Sequence, residues 1–203
     1  MPSRNITKSY VADSFYHIYN RGVNKAPIFL DEKDYVTFLG LFKRYLGHEP
    51  EKTPFRTLYP NYSDQIELLA FCLMKNHFHL FVYQHTDFAI RDLLKSLSVA
   101  YGMYFNRRYK RVGPIFQQRY KAVRITDDAQ LLHISRYIHM NPYNYLDHSW
   151  SSLPYYTQER DAPWIKPSRV LELFEGTKYL DFLAEYEDRR DELQELKDEL
   201  ANG

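Results

Sequence analysis

Two histidines separated by a single residue, His77 and His79, stand inside the segment LLAFCLMKNHFHLFVYQ, which covers residues 68–84. The segment is apolar up to Met74, polar at Lys75-Asn76 and apolar again afterwards, which predicts two strands joined by a tight turn. Side chains of a strand alternate between faces, so both imidazoles are expected on one face. Imidazole is the commonest metal-ligating side chain, which makes the pair a candidate metal site. Two half-buried histidines with ordinary hydrogen bonds are the alternative.

A second candidate for chemistry is the segment HISRYIHMNP, in which Tyr137 and Asn141 are four residues apart. That spacing places both side chains along one side of a helix. If this helix docks on the sheet, a phenol and an amide oxygen that suits Mg²⁺ can reach the histidine pair. The alternative is that Tyr137 packs in the core as one of 19 tyrosines. His133, one turn earlier, is a candidate general base, whereas His139 projects from another side of the helix.

The segment RRYKRVGPIFQQRYKAVR, residues 107–124, contains five Arg, two Lys and no acidic residue. Aromatic residues are interleaved with these cations, and such a combination is typical of surfaces that bind single-stranded nucleic acid. A charge run is also common on solvated surfaces of other proteins. Within a strand predicted over 115–126, Gln117, Arg119 and Lys121 are expected to share one face. The candidate contacts to a nucleic-acid backbone are Arg21, Arg107, Arg108, Lys110, Arg111, Arg119, Lys121 and Arg124.

The length of 203 residues predicts one domain with a small appendage. The single cysteine, Cys72, excludes an internal disulfide and favours a reducing, cytoplasmic location. No apolar run has the length of a membrane span, and the first residues lack the apolar core of a secretory signal. The net charge is +1, but residues 181–199 carry nine acids against three bases, so the remainder is strongly basic. A basic remainder suits a polyanionic ligand.

Periodicity and turn residues predict the order β-α-β-β-α-β-α followed by helices near the C-terminus. This order indicates an α+β protein: a ferredoxin-like antiparallel β-sheet with helices packed on one face, plus a C-terminal helical tail. The predicted strands cover 14–23, 68–74, 77–83 and 115–126, and the predicted helices cover 31–46, 86–110, 126–141, 168–174 and 178–200.

These motifs together resemble a known family. KNHFHLFV resembles the His-hydrophobe-His motif of the HUH single-strand endonucleases. GPIFQQRYKAV followed by LLHISRYIHMNP resembles the REP-associated tyrosine transposases, which are single-tyrosine relatives of the IS200-like transposases. The resemblance extends over residues 14–156. It implies a catalytic domain over 1–156 and a helical extension over 157–203.

The resemblance also implies roles for individual residues. It makes Tyr137 the nucleophile and His77, His79 and Asn141 the ligands of Mg²⁺ or Mn²⁺. The implied activity is a metal-dependent single-stranded DNA endonuclease and strand transferase that forms a 5′-phosphotyrosine at hairpin-associated sites. The implied setting is a bacterial cytoplasm, on the nucleoid when DNA is bound, with the enzyme acting as a monomer or homodimer.

Three other functions remain open at this point. The first is another HUH enzyme, a replication initiator or relaxase, which shares the order of the motifs. The second is a non-catalytic or domesticated protein that binds single-stranded or hairpin DNA on the same fold. The third is a metal-dependent phosphoesterase for small substrates, which has little use for the basic aromatic segment.

Overall fold

The computed structural model describes residues 10–174 and 178–187 of the chain. Within these residues, none of the helices is long and apolar enough to cross a membrane. The strands and α-helices of the described residues are β1 (Ser14–Arg21), α1 (Glu32–Leu46), β2 (Ile66–Met74), β3 (His77–Gln84), α2 (Ala89–Tyr109), β4 (Lys121–Ile125), α3 (Asp128–His139), α4 (Leu153–Tyr156), α5 (Ser168–Leu171) and α6 (Tyr179–Ala184).

The strands form one antiparallel sheet in the order β2-β3-β1-β4. Combined with the element order β1-α1-β2-β3-α2-β4, this is the ferredoxin-like arrangement, and the predicted fold class is confirmed. β2 and β3 are joined by the predicted two-residue turn. The long ladder between β1 and β3 runs from Ser14 opposite Gln84 to Arg21 opposite His77. The candidate site lies at the end of the sheet that holds Arg21 and His77.

Helices cover both faces of the sheet, and the expectation that they lie on one face is wrong. Phe78, Leu80 and Val82 of β3 point into a core formed with α1 and α2. The other face of the sheet carries further apolar side chains, among them Phe81, and these pack against α3. A sheet that is apolar on both faces must be covered on both to keep that surface from water.

The C-terminal helices extend the core that α3 forms with the sheet. Val170 of α5 and Leu183 of α6 are buried in the same cluster as residues of α3. The guanidinium of Arg136 on α3 lies 3.6 Å from the ring centre of Phe182 on α6, a cation–π contact that holds the two helices together. Both helices are shorter than the predicted 168–174 and 178–200, and residues 188–200 of the latter lie outside the described residues.

The strand predicted over 115–126 is observed only from Lys121 to Ile125. Residues 111–120 instead form a loop across the end of β1, where the backbone N–H of Gln117 donates to the carbonyl of Arg21 at 2.8 Å. β1 cannot continue as a regular strand beside residues 111–120, because the chain turns sharply at Gly22. A Cβ at that position would lie 2.1 Å from the carbonyl oxygen of Ala26. The predicted strand face shared by Gln117, Arg119 and Lys121 is therefore wrong.

A buried carboxylate connects the first turn of α1 to the last turns of α2. Asp34 has no exposed surface and accepts hydrogen bonds from the hydroxyls of Tyr104 and Tyr109 and from the backbone N–H of Leu30. The guanidinium of Arg108 donates to the same carboxylate at 2.7 Å. Arg108 was a predicted DNA contact. Its charge is instead engaged within the fold, because a buried carboxylate requires a cation or several donors beside it.

Replacing Asp34 by Ala is expected to lower the free energy of unfolding by about 3 kcal/mol, because two partly buried hydroxyls and a backbone N–H lose their acceptor. Asp31→Ala is the matched control. Asp31 also pairs with Arg108, but its side chain is 49% exposed, so solvent screens that pair and a clearly smaller loss is expected. Urea denaturation of both variants measures the difference. Equal losses would show that burial of Asp34 is not what makes this contact stabilising.

Candidate functional site

Strand alternation and strand register bring the two histidines to one face of the sheet, as predicted. In the ladder between β1 and β3, His77 lies opposite Arg21 and His79 lies opposite Tyr19. The imidazole ring centres are 5.0 Å apart with perpendicular planes. Phe78, between them, points to the other side. Both imidazoles are therefore directed at the same region, at the end of the sheet and beneath α3.

A neighbouring amide fixes the tautomer of His77. The ring Nδ1 of His77 lies 2.7 Å from Oδ1 of Asn76, while Nδ2 of Asn76 donates to the carbonyl of Lys25 at 3.1 Å. Oδ1 can only accept, so Nδ1 of His77 carries the proton. Nε2 then holds the lone pair that a metal ion requires, an orientation common among metal-ligating histidines.

His79 is buried, with 5% of its surface exposed. Its Nδ1 lies 2.9 Å from Nε2 of His17 on β1. His17 is fully buried, and this burial lowers its pKa to about 3. Sequence analysis missed His17, although its position two residues before Tyr19 places it on the same strand face.

The helix α3 brings Tyr137 to the histidines. The edge of the phenol ring meets His79 at 5.2 Å and His17 at 5.6 Å between ring centres. Its hydroxyl is hydrogen-bonded to the side chain of Asn141. The helix itself ends at His139, yet the side chain of Asn141 still reaches the phenol. The four candidate residues of the metal and nucleophile sites are thus brought together.

Burial raises the pKa of Tyr137 above its ordinary value. The neighbouring phenol of Tyr19 adds to this rise, whereas the charge of Arg21 and the hydrogen bond from Asn141 lower the pKa. Burial is the largest of these effects, so the phenol is protonated at neutral pH. Nucleophilic attack by Tyr137 therefore requires that the proton be removed during the reaction.

Two of the predicted cationic contacts, Arg21 and Lys121, lie on the same sheet face as the histidines. Lys121 of β4 lies opposite Tyr19 of β1, with its ammonium 5.7 Å from the centre of the Tyr19 ring. Tyr19 is half-buried between this cation and His79, whose ring centre is 5.8 Å away. Tyr19 is the second site residue that sequence analysis missed.

The remaining candidate cations divide into two groups. Arg124 lies opposite Tyr16, which faces the core with α1 and α2, so Arg124 is on the face away from the histidines. Loop 111–120 runs across the end of β1, at the same sheet end as His77. The exposed cations at the end of α2 and on this loop are Arg107, Lys110, Arg111 and Arg119.

A buried polar chain anchors α3 against the sheet. Nε2 of His139 lies 2.6 Å from the hydroxyl of Ser152, and Nδ1 lies 2.7 Å from the hydroxyl of Tyr179. The hydroxyl of Ser152 also accepts from the backbone N–H of Phe71 in β2 at 2.8 Å. His139 is therefore a structural residue that fixes the end of α3 to β2 and α6.

His133, the candidate general base, lies on the exposed surface of α3. Its ring is 6.3 Å from that of Tyr186, near the C-terminal helices. Tyr137 packs towards His17 and His79, on the sheet side of the helix. The structure thus gives no support to His133 as the group that takes the phenolic proton.

The donor set can hold a divalent ion. His77 and His79 each have Nδ1 engaged by a neighbour, so each would coordinate through Nε2. Among the residues that the structure describes, no group of three or more His, Cys, Asp or Glu could hold a metal. The amide of Asn141, which is hydrogen-bonded to Tyr137, would add an oxygen ligand of the kind that hard divalent ions accept.

Similarity to known proteins is found for part of the chain. No curated protein matches the chain. A solved REP-associated tyrosine transposase bound to a REP hairpin is similar at 15% identity, covering 77% of this chain and 86% of the other, with a TM-score of 0.49. A protein described as a transposase from Deinococcus radiodurans R1 is similar at 15% identity, covering 68% and 95%, with a TM-score of 0.40.

The family model described as transposase IS200-like matches residues 56–141. This range contains both strand histidines, Tyr137 and Asn141, but it does not include β1. Residues 56–141 are thus similar to the IS200-like transposase family.

Proposed function

We propose that the protein is a single-strand DNA transposase of the REP-associated type, which cuts and rejoins DNA through a covalent bond to Tyr137. The observation that carries the proposal is the placement of one phenol, two imidazoles and one carboxamide at a single point between β3 and α3. The match of residues 56–141 to the IS200-like transposase model supports a transposase acting on DNA. The single-stranded, hairpin-forming substrate is proposed from the sequence motifs.

In the proposed reaction, the phenolic oxygen of Tyr137 attacks the phosphorus of a phosphodiester. The bond between that oxygen and phosphorus forms, and the bond from phosphorus to the 3′ oxygen breaks. The products are a 5′-phosphotyrosine and a 3′ hydroxyl, which takes up a proton as the phenol loses one. The covalent intermediate keeps a phosphodiester bond intact for the reverse step on another 3′ end.

His77, His79 and Asn141 are the proposed ligands of a Mg²⁺ or Mn²⁺ ion. A bound divalent ion supplies Lewis acidity that polarises a phosphoryl oxygen and lowers the pKa of a nearby hydroxyl. Asn141 also holds the phenol by a hydrogen bond, and packing against His79 limits the rotation of the ring. The nucleophile is thereby oriented before DNA binds, which lowers the entropic part of the barrier.

The proposed DNA path runs over the sheet end that carries Arg21, Lys121 and loop 111–120. Arg21 and Lys121 flank the histidines on the same face, where their charges can contact the phosphates on either side of the cleaved bond. Exposed cations of the loop extend this surface. Such contacts fix the position of the strand and do not read its sequence.

A non-catalytic DNA-binding protein is the second candidate. It is favoured by one observation, the burial of Tyr137, which is 4% exposed and whose pKa burial raises. In that case the phenol would serve packing alone. The two functions differ in a single product, a covalent bond between protein and DNA.

Tyr137→Phe is expected to abolish covalent attachment to a single-stranded hairpin oligonucleotide and to leave non-covalent binding nearly unchanged, because only the hydroxyl is lost. Denaturing gel electrophoresis after incubation with a hairpin library and Mn²⁺ detects the adduct. Tyr19→Phe is the matched control, since it removes the other phenol near His79 and should still form the adduct. An adduct with Tyr137→Phe would assign the nucleophile to a different residue, and no adduct with the unmodified protein would favour the binding protein.

His77→Ala and His79→Ala are both expected to remove Mn²⁺ binding measured by calorimetry. Their effects on stability should differ. His79→Ala opens a buried cavity and leaves His17 without its partner, for a loss of about 2–3 kcal/mol in the free energy of unfolding. His77 is partly exposed, so its replacement should cost clearly less. Unchanged Mn²⁺ affinity in both variants would make the pair purely structural.

Arg21→Ala combined with Lys121→Ala is expected to weaken DNA binding and to flatten its dependence on salt. Each phosphate contact on a single strand contributes about −0.7 to the slope of log affinity against log salt, so the slope should decrease in magnitude by about 1.4. Lys43→Ala is the control, because Lys43 is exposed on α1, beyond the opposite face of the sheet. Equal slopes in the double variant and the unmodified protein would move the DNA path to another surface.

A further inference from the structure

His17 lies outside residues 56–141, the range that the family model matches. It contacts His79, one of the proposed metal ligands. His17 occupies the middle of β1, between the positions of Phe15 and Tyr19, and is fully buried. Its ring lies within 13° of parallel to that of His79, with the centres 5.1 Å apart. The short contact joins Nε2 of His17 to Nδ1 of His79 at 2.9 Å.

Either ring can be the donor in the hydrogen bond between the two imidazoles. Either His17 donates from Nε2, or His79 donates from Nδ1. A neutral imidazole carries one proton, so the direction of this bond decides where the proton of His79 is. If Nδ1 of His79 donates, its Nε2 holds a lone pair, and if Nδ1 accepts, its Nε2 carries the proton.

His77 shows which of the two arrangements this site uses for its partner ligand. Nδ1 of His77 meets the carbonyl oxygen of the Asn76 amide, which can only accept. Both histidines thus have Nδ1 turned to a neighbour, so Nε2 is the nitrogen that each would offer to an ion. An equivalent role for His17 requires that it accept from Nδ1 of His79.

Accepting at Nε2 places the single proton of a neutral His17 on its other nitrogen, Nδ1, and this buried N–H is then the cost of the arrangement. Nδ1 of His17 is buried and has no hydrogen-bond partner among the residues that the structure describes. A buried charge without a partner is costly, so the ring stays neutral and retains an accepting nitrogen. Buried polar atoms without partners are rare in native proteins and call for an explanation.

We propose that His17 is a positioning residue for the metal site: it accepts a hydrogen bond from Nδ1 of His79 and so keeps Nε2 of His79 unprotonated and directed at the ion. This inference rests on the proposed function, since it assigns a role towards the same ion. It adds a residue of β1 to a site otherwise built from β3 and α3. Partners of this kind typically change metal affinity by about 10- to 100-fold when they are removed.

Two substitutions of His17 test the proposal by metal affinity. His17→Phe fills much of the space but offers no acceptor, and it should weaken Mn²⁺ binding by about 10- to 100-fold in calorimetry. His17→Gln can place an amide oxygen near the original Nε2 position, so its affinity should stay within a few-fold of the unmodified protein. Tyr16→Phe is the control: Tyr16 is the buried neighbour on the opposite strand face, and its affinity should not change.

A second measurement distinguishes failure of this inference from failure of the proposed function. Long-range ¹H–¹⁵N correlation spectra of the metal-free protein report which nitrogen of His79 is protonated. Nδ1 should carry the proton in the unmodified protein and in His17→Gln, and the population should move to Nε2 in His17→Phe.

The inference is overturned if Nε2 of His79 carries the proton in the unmodified protein. It is also overturned if folded His17→Phe binds Mn²⁺ as tightly as the unmodified protein. If the unmodified protein binds no Mn²⁺, the metal dependence of the proposed function fails, and the spectra alone decide whether His17 sets the tautomer of His79.

Discussion

The pairing register between β1 and β3 is the constraint on which the site depends. It sets Arg21 opposite His77 and Tyr19 opposite His79, so that cation, phenol and imidazoles face the same side. A slip of β1 by one residue would turn Arg21 and Tyr19 to the face away from the histidines. The register is held because Phe78 and its neighbours on the alternate positions are buried against α1 and α2. The apolar core on one face of the sheet thus fixes the polar site on the other.

The helix α3 is the second component, and buried polar contacts hold it in addition to apolar packing. The bonds of His139 to Ser152 and Tyr179 connect its last turn to the β2 side of the sheet and to α6. This anchor sets the depth at which Tyr137 lies, and that depth has a chemical consequence. Burial orients the phenol but also raises its pKa, so the same packing that positions the proposed nucleophile makes it harder to deprotonate.

Residue type alone does not reveal which arginines stabilise the fold and which lie at the candidate site. Arg108 and Arg21 are both arginines beside aromatic residues at the same end of the sheet. Arg108 is bound to the buried Asp34, while Arg21 stands on the face of the histidine pair. A carboxylate without exposed surface requires a compensating cation, and Arg108 supplies that cation within the fold.

The sequence alone determined the ferredoxin-like order, the shared face of His77 and His79 and the helix that carries Tyr137, because each follows from a local period of two or 3.6 residues. Only the tertiary structure decided that α3 covers the second face of the sheet, that β4 begins at Lys121 and that His17 lies behind His79. These features depend on contacts between segments 60 or more residues apart, such as the separation of 62 between His17 and His79. Local periodicity contains no information about which distant side chains meet, and burial and partners are set by that meeting.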